Sequence, residues 1–129
     1  MPWVEVFAVF VVSHAVGDYL LQTDWQALNK RGGLLADGSR RALITHVATY
    51  TLAFVPGLVW LADDLGPAVL GVAALIAVPH LVQDDGRLLT AYVARVKGCG
   101  AATSREVFTA VDQSFHILAL FLTALVAGS

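Results

Sequence analysis

The chain alternates between long apolar runs and short polar connections. Apolar residues dominate positions of about 3–23, 42–62, 66–92 and 107–127. Each run reaches the roughly 20 residues of helix that the hydrocarbon core of a bilayer takes. Inside lipid, backbone N–H and C=O groups must be satisfied within the chain, which leaves helices or a closed barrel. The runs are too long and continuous for barrel strands. The pattern predicts an all-α fold, a four-helix transmembrane bundle, with residues 1–129 forming a single integral-membrane domain.

The connections set an orientation. Seven of the eight basic residues fall between the first and second runs (Lys30, Arg31, Arg40, Arg41) or between the third and fourth (Arg95, Lys97, Arg105). Basic connections stay on the cytoplasmic side. Both termini, and the acidic turn Asp63-Asp64-Leu65-Gly66-Pro67, are then expected outside. Cys99 falls on the reducing, cytoplasmic side. The start has no basic stretch and carries Glu5, so no cleaved signal peptide is expected. Pro56 and Pro79 lie inside the second and third runs and predict kinks, the first a packing feature, the second beside a histidine.

Composition agrees with this pattern. Hydrophobic residues make up 57% and charged residues 14%, against about 25% charged in an ordinary soluble domain. So few charges would not cover a small soluble domain. A net charge of −2 without a basic tract excludes a nucleic-acid binder, and a single cysteine excludes an internal disulfide.

The polar residues inside the runs carry the chemistry. Each run holds one of the four histidines, His14, His46, His80 and His116. Three have an aspartate four residues away: His14 with Asp18, His80 with Asp84, and His116 with Asp112. That spacing puts each pair on one helix face. Counting inward from the cytoplasmic ends at about 1.5 Å per residue puts all seven groups in one layer, roughly 8–15 Å deep. A charge at such depth costs at least about 2.5–3.5 kcal/mol, so the aspartates need partners, protons or a cation. By sequence only Arg87, three positions after Asp84, comes within reach. A divalent metal, zinc first and iron or manganese next, suits imidazole and carboxylate ligands. Seven ligands exceed the need of one tetrahedral ion. The surplus either builds a two-metal site or orients the histidines by hydrogen bonds. A network of polar contacts that only fixes helix packing is the structural alternative.

These same residues carry a resemblance. His14-Ala-Val-Gly-Asp18-Tyr-Leu-Leu-Gln22-Thr, His46 with Tyr50, His80-Leu-Val-Gln-Asp84 and Asp112-Gln113-Ser-Phe-His116 resemble the small bacterial inner-membrane proteins grouped as domain-of-unknown-function (DUF) family thirty-three-oh-seven. The resemblance covers nearly the whole chain and implies a multi-pass protein of the bacterial inner membrane. In that pattern a lysine commonly stands where this chain has Arg87, which keeps the charge without a titratable amine. More loosely, the chain is similar to membrane proteins labelled metal-dependent hydrolases.

The leading functional expectation is a metal-dependent hydrolase of a lipid or lipid-linked substrate. His14, His46, His80 and His116 would bind metal with Asp18, Asp84 and Asp112. A spare aspartate would act as general base, and Arg87 or Lys30 would hold a phosphate or carboxylate. The alternatives are a metal-ion or proton transporter or channel, which four helices would need a homo-oligomer to build, a b-type haem protein, or a structural membrane subunit.

Overall fold

The computed structural model describes residues 1–98 and 104–129, and Cys99 lies outside the described residues. Every regular element among them is helical. α1 (Trp3–Ala15) runs into a π-turn (Val16–Leu20), and a short α2 follows (Asp24–Asn29). A 3-10 turn (Lys30–Gly32) leads to α3 (Asp37–Ala53), which breaks at Phe54 and resumes as α4 (Val55–Leu65). A second 3-10 turn (Gly66–Ala68) precedes α5 (Val69–Asp85), then come α6 (Arg87–Arg95) and α7 (Arg105–Ala127).

Three stretches are long and apolar enough to cross a membrane: Trp3–Leu20, Val55–Asp85 and Arg105–Ala127. The expected run at about 42–62 is not one such helix. Its first half belongs to α3, whose start carries Asp37, Arg40 and Arg41, and it is interrupted at Phe54. Pro56 stands in the first turn of α4, where a missing amide donor costs little. The run at about 66–92 is also interrupted. Gly86, at φ 85°, ends α5 in the left-handed conformation that glycine adopts without strain.

The Val55–Asp85 stretch reverses direction in its middle. His80 of α5 touches His46 of α3. That contact requires the chain to leave along α3 and α4 and return along α5. The turn falls at Gly66, at φ 54°. Between the legs lies an apolar core that includes Phe10, Tyr50, Phe54, Leu61, Ile76 and Leu120.

The ends of the molecule differ in character. The N-terminal amine reaches Asp64 at 3.5 Å, and the backbone of Gly128 lies against Trp3. Both termini therefore meet the α4–α5 turn. The basic segments gather at the opposite end, where the π-turn, the start of α3 and the start of α7 lie. The sides are apolar: Val12, Leu52, Val59, Leu70 and Val126 are each more than half exposed. The charged and imidazole groups are inside, with His46 at 0% and His116 at 1% exposure. This inside-out distribution matches a solvent of lipid.

Candidate metal centre

α1, α3, α5 and α7 each send one histidine to a common point near the basic end of the molecule. The π-turn delivers Asp18. Its amide–carbonyl bond from Leu21 N–H to Val16 (2.9 Å) encloses one extra residue, the kind of local bulge that re-aims side chains at functional sites. Gly17 of the same turn lets α1 close on Tyr50: a Cβ there would lie 2.7 Å from the Tyr50 ring and 3.2 Å from its Cα. The Tyr50 ring in turn stacks on His80, with centroids 3.5 Å apart and planes 6° from parallel.

Asp18, His46, His80 and Asp84 form the tighter group, all buried. His46 Nε2 lies 3.0 Å from His80 Nε2, 3.1 Å from Asp18 Oδ1 and 2.9 Å from Asp84 Oδ2. His80 Nε2 lies 3.5 Å from Asp18 Oδ1 and 3.1 Å from Asp84 Oδ2. A tetrahedral ion with bonds of 2.0–2.1 Å has ligand–ligand edges of about 3.3 Å. Five of the six edges, at 2.9–3.5 Å, lie near that value, and all four ligand atoms lie within 4.8 Å of one another.

Asp84 links this group to a second one, Asp84, Asp112 and His116. The other Asp84 oxygen, Oδ1, lies 3.2 Å from His116 Nε2. His116 Nδ1–H donates to the Asp112 backbone carbonyl at 2.7 Å, which fixes the tautomer. In the neutral ring Nε2 then presents a lone pair to a carboxylate oxygen. Two acceptors that close need a proton or a cation between them. Among the described residues, Asp18 Oδ1 and His116 Nε2, which face the cluster, are buried without a hydrogen-bond partner. Orphaned buried polar atoms are rare in folded proteins. The residues present therefore fit a divalent ion.

His14 is close but differently employed. Its Nε2–H donates to Gln113 Oε1 (2.8 Å), and the Tyr50 hydroxyl donates to its Nδ1 (2.9 Å). Asp18 Oδ2 is 3.8 Å away. Both ring nitrogens are occupied, so His14 lies outside the two ligand groups and supports them. Gln113 Nε2 in turn donates toward Asp18 Oδ2 (3.4 Å) and Asp112 Oδ2 (3.5 Å).

Arg87 departs from expectation. It binds Asp85 through Nε (2.6 Å) and a terminal nitrogen (3.0 Å), and its side chain is 65% exposed. The break at Gly86 turns it away from Asp84. The cation nearest the first group among the described residues is Lys30, which donates to Asp84 Oδ2 at 2.8 Å and to Gln22 Oε1 at 2.6 Å. Arg31 comes within 3.8 Å of Asp112 and stacks over the Phe108 ring at 4.2 Å. Asp85 anchors the connection that carries them: a Cβ on Gly33, at φ 72°, would lie 2.8 Å from its carboxylate.

A cleft of about 910 Å³ opens over the centre, with Asp18 and Asp112 among its acids and Lys30, Arg31 and Arg105 among its cations. The His46, His80 and His116 rings pack with centroids 4.7–5.1 Å apart along the chain of contacts.

Fold and site together define a helical membrane-type protein with buried His/Asp groups placed to hold a metal ion. The family model described as "Protein of unknown function (DUF3307)" matches residues 6–128, nearly the whole chain. The chain belongs to that family. No curated protein and no solved structure matches it, so the looser likeness to metal-dependent hydrolases has no matched relative behind it.

Proposed function

We propose that this is a multi-pass protein of the bacterial inner membrane, a four-helix bundle with both termini outside, that binds a divalent metal and hydrolyses a lipid or lipid-linked substrate. The observation that carries it is the near-tetrahedral set formed by Asp18, His46, His80 and Asp84. Zinc suits two imidazoles and two carboxylates, with iron or manganese next. A second ion would share Asp84 with His116 and Asp112. When bound, a divalent ion supplies Lewis acidity and makes water a nucleophile near neutral pH.

The chain's own groups have separable tasks. With only the first group occupied, the Asp112 carboxylate lines the cleft as the spare aspartate, suited to take a proton from water. Gln113 holds Asp18 and Asp112 in register. Lys30 fixes Asp84 and offsets part of its charge.

The deciding measurement is elemental analysis of detergent-purified protein. We expect one or two equivalents of transition metal per chain, and a metal affinity weakened in His80→Ala by more than the roughly tenfold that loss of a ligand-orienting group costs. Protein that folds and holds no transition metal overturns the reading.

The Lys30–Asp84 pair favours a second reading, because an ammonium already compensates one buried carboxylate. The cluster would then be a transit site for protons or metal ions, in an oligomer. Metal or proton flux into proteoliposomes above that of empty vesicles would select this reading over hydrolysis.

A further inference from the structure

A second recess adjoins the polar cleft. It is an apolar groove of about 440 Å³ between α5, α6 and α7, lined by Val78, Pro79, Val82, Leu88, Tyr92 and Phe115 among others. Asp112 lines both the cleft and the groove. The groove presents Val78, Val82 and Leu88 outward, each at 42% exposure or more. Its floor is held by Gln83 Nε2 donating to the Phe115 carbonyl (3.1 Å) and by the Tyr92–Phe115 edge contact at 4.9 Å. The cleft holds the opposite chemistry. Arg31 is spread over Phe108 with its side chain 39% exposed, and Arg105 lines the same cleft from the first turn of α7.

We propose that cleft and groove are two lobes of one site for a phosphate-bearing lipid. The phosphate would lie against Arg31 and Arg105, whose guanidinium groups suit its oxygens. A hydrocarbon chain would lie along the groove, and the junction between head and chain would fall beside Asp112. This deepens the hydrolase reading by naming its substrate class. It rests on that reading for what happens to the lipid, not for the binding.

The test is equilibrium binding to detergent-purified, chelator-treated protein, read by native mass spectrometry. The probes are dioleoyl phosphatidic acid, dioleoylglycerol (chain without phosphate) and glycerol 3-phosphate (phosphate without chain). Phosphatidic acid is expected to bind at least about tenfold more tightly than either, the size of one charge-assisted contact. Arg31→Ala and Arg105→Ala should each weaken it by about that factor. Arg105 is exposed at a helix start, so its variant keeps the test meaningful if Arg31→Ala fails to fold. Val82→Trp, which fills the groove, should weaken phosphatidic acid and leave glycerol 3-phosphate unchanged. Arg41→Ala, outside the cleft, should change nothing.

Equal binding of phosphatidic acid and dioleoylglycerol overturns the proposal. So does an Arg41→Ala loss as large as that of Arg31→Ala, which would mean general charge attraction, or a Val82→Trp variant that binds like the parent. Metal content measured before chelation separates the two ideas. Lipid selectivity without metal removes the hydrolase reading and keeps the site, whereas metal without selectivity removes only the site.

Discussion

Asp84 belongs to both ligand groups and bridges them. One oxygen faces His46, His80 and Lys30, and the other faces His116. Such a junction is rigid only if its walls are, and the wall most sensitive to change is Gly17. A methyl group there would meet both the Tyr50 ring and its Cα. Tyr50 cannot retreat, because it is stacked on His80 and bonded to His14. Overpacking of this kind costs about 1–3 kcal/mol. Gly17→Ala is therefore expected to lower the thermal midpoint in detergent and to weaken metal binding. Gly71 gives the contrast, since a Cβ there meets nothing within 4 Å. Gly71→Ala should leave metal binding intact and gain up to about 1 kcal/mol from helix propensity. Equal behaviour of the two variants in thermal unfolding and metal titration would refute the close-approach argument.

At the scale of elements, periodicity made much of the site legible, and chain breaks hid the rest. The i, i+4 spacing correctly brought His80 with Asp84 and His116 with Asp112 to one point, and it brought His14 near Asp18. It failed where the helix was assumed to continue. Reading Arg87 as one turn past Asp84 ignored Gly86, a helix-stop signal that was available in the sequence. Lys30 was harder to see. It pairs with Asp84 across 54 positions, and no local period encodes that contact. What places it is local all the same: Thr23 and Gln26 form a capping box that starts α2, and the 3-10 turn with Gly33 folds the chain back toward α5. The two prolines extend the same point. Pro56 stands in the first turn of α4, where it is tolerated. Pro79 is inside α5 beside His80 and cannot bond the Leu75 carbonyl, which Thr123 approaches at 3.5 Å. Pro79→Ala should supply the missing amide donor to the Leu75 carbonyl, shift His80 and weaken metal binding by about tenfold, as supporting changes around a metal do. Pro56→Ala should not. Titration of chelator-treated protein with zinc reads both, and unchanged affinity in Pro79→Ala would show that the proline serves packing alone.

For the whole molecule, the geometry divides cleanly into two ends. Both termini and the Asp63–Asp64 turn share one end. The described basic residues gather at the other, with the centre and its cleft. On the topology we propose, the positive-inside rule faces the cleft toward the cytoplasm, where a phosphate-bearing lipid of the inner leaflet would meet Arg31 without crossing the bilayer. This is testable with single cysteines in a Cys99→Ser background, labelled in intact cells by a membrane-impermeant maleimide. Asp63→Cys and Ser129→Cys should react in intact cells. Gly38→Cys, at the start of α3 with open space around it, should react only after the membrane is broken. The opposite pattern would turn the cleft outward and move its substrate to the outer leaflet. Labelling of Asp63→Cys and Ser129→Cys on different sides would contradict the hairpin at Gly66, because that turn and the C-terminus could not then share an end.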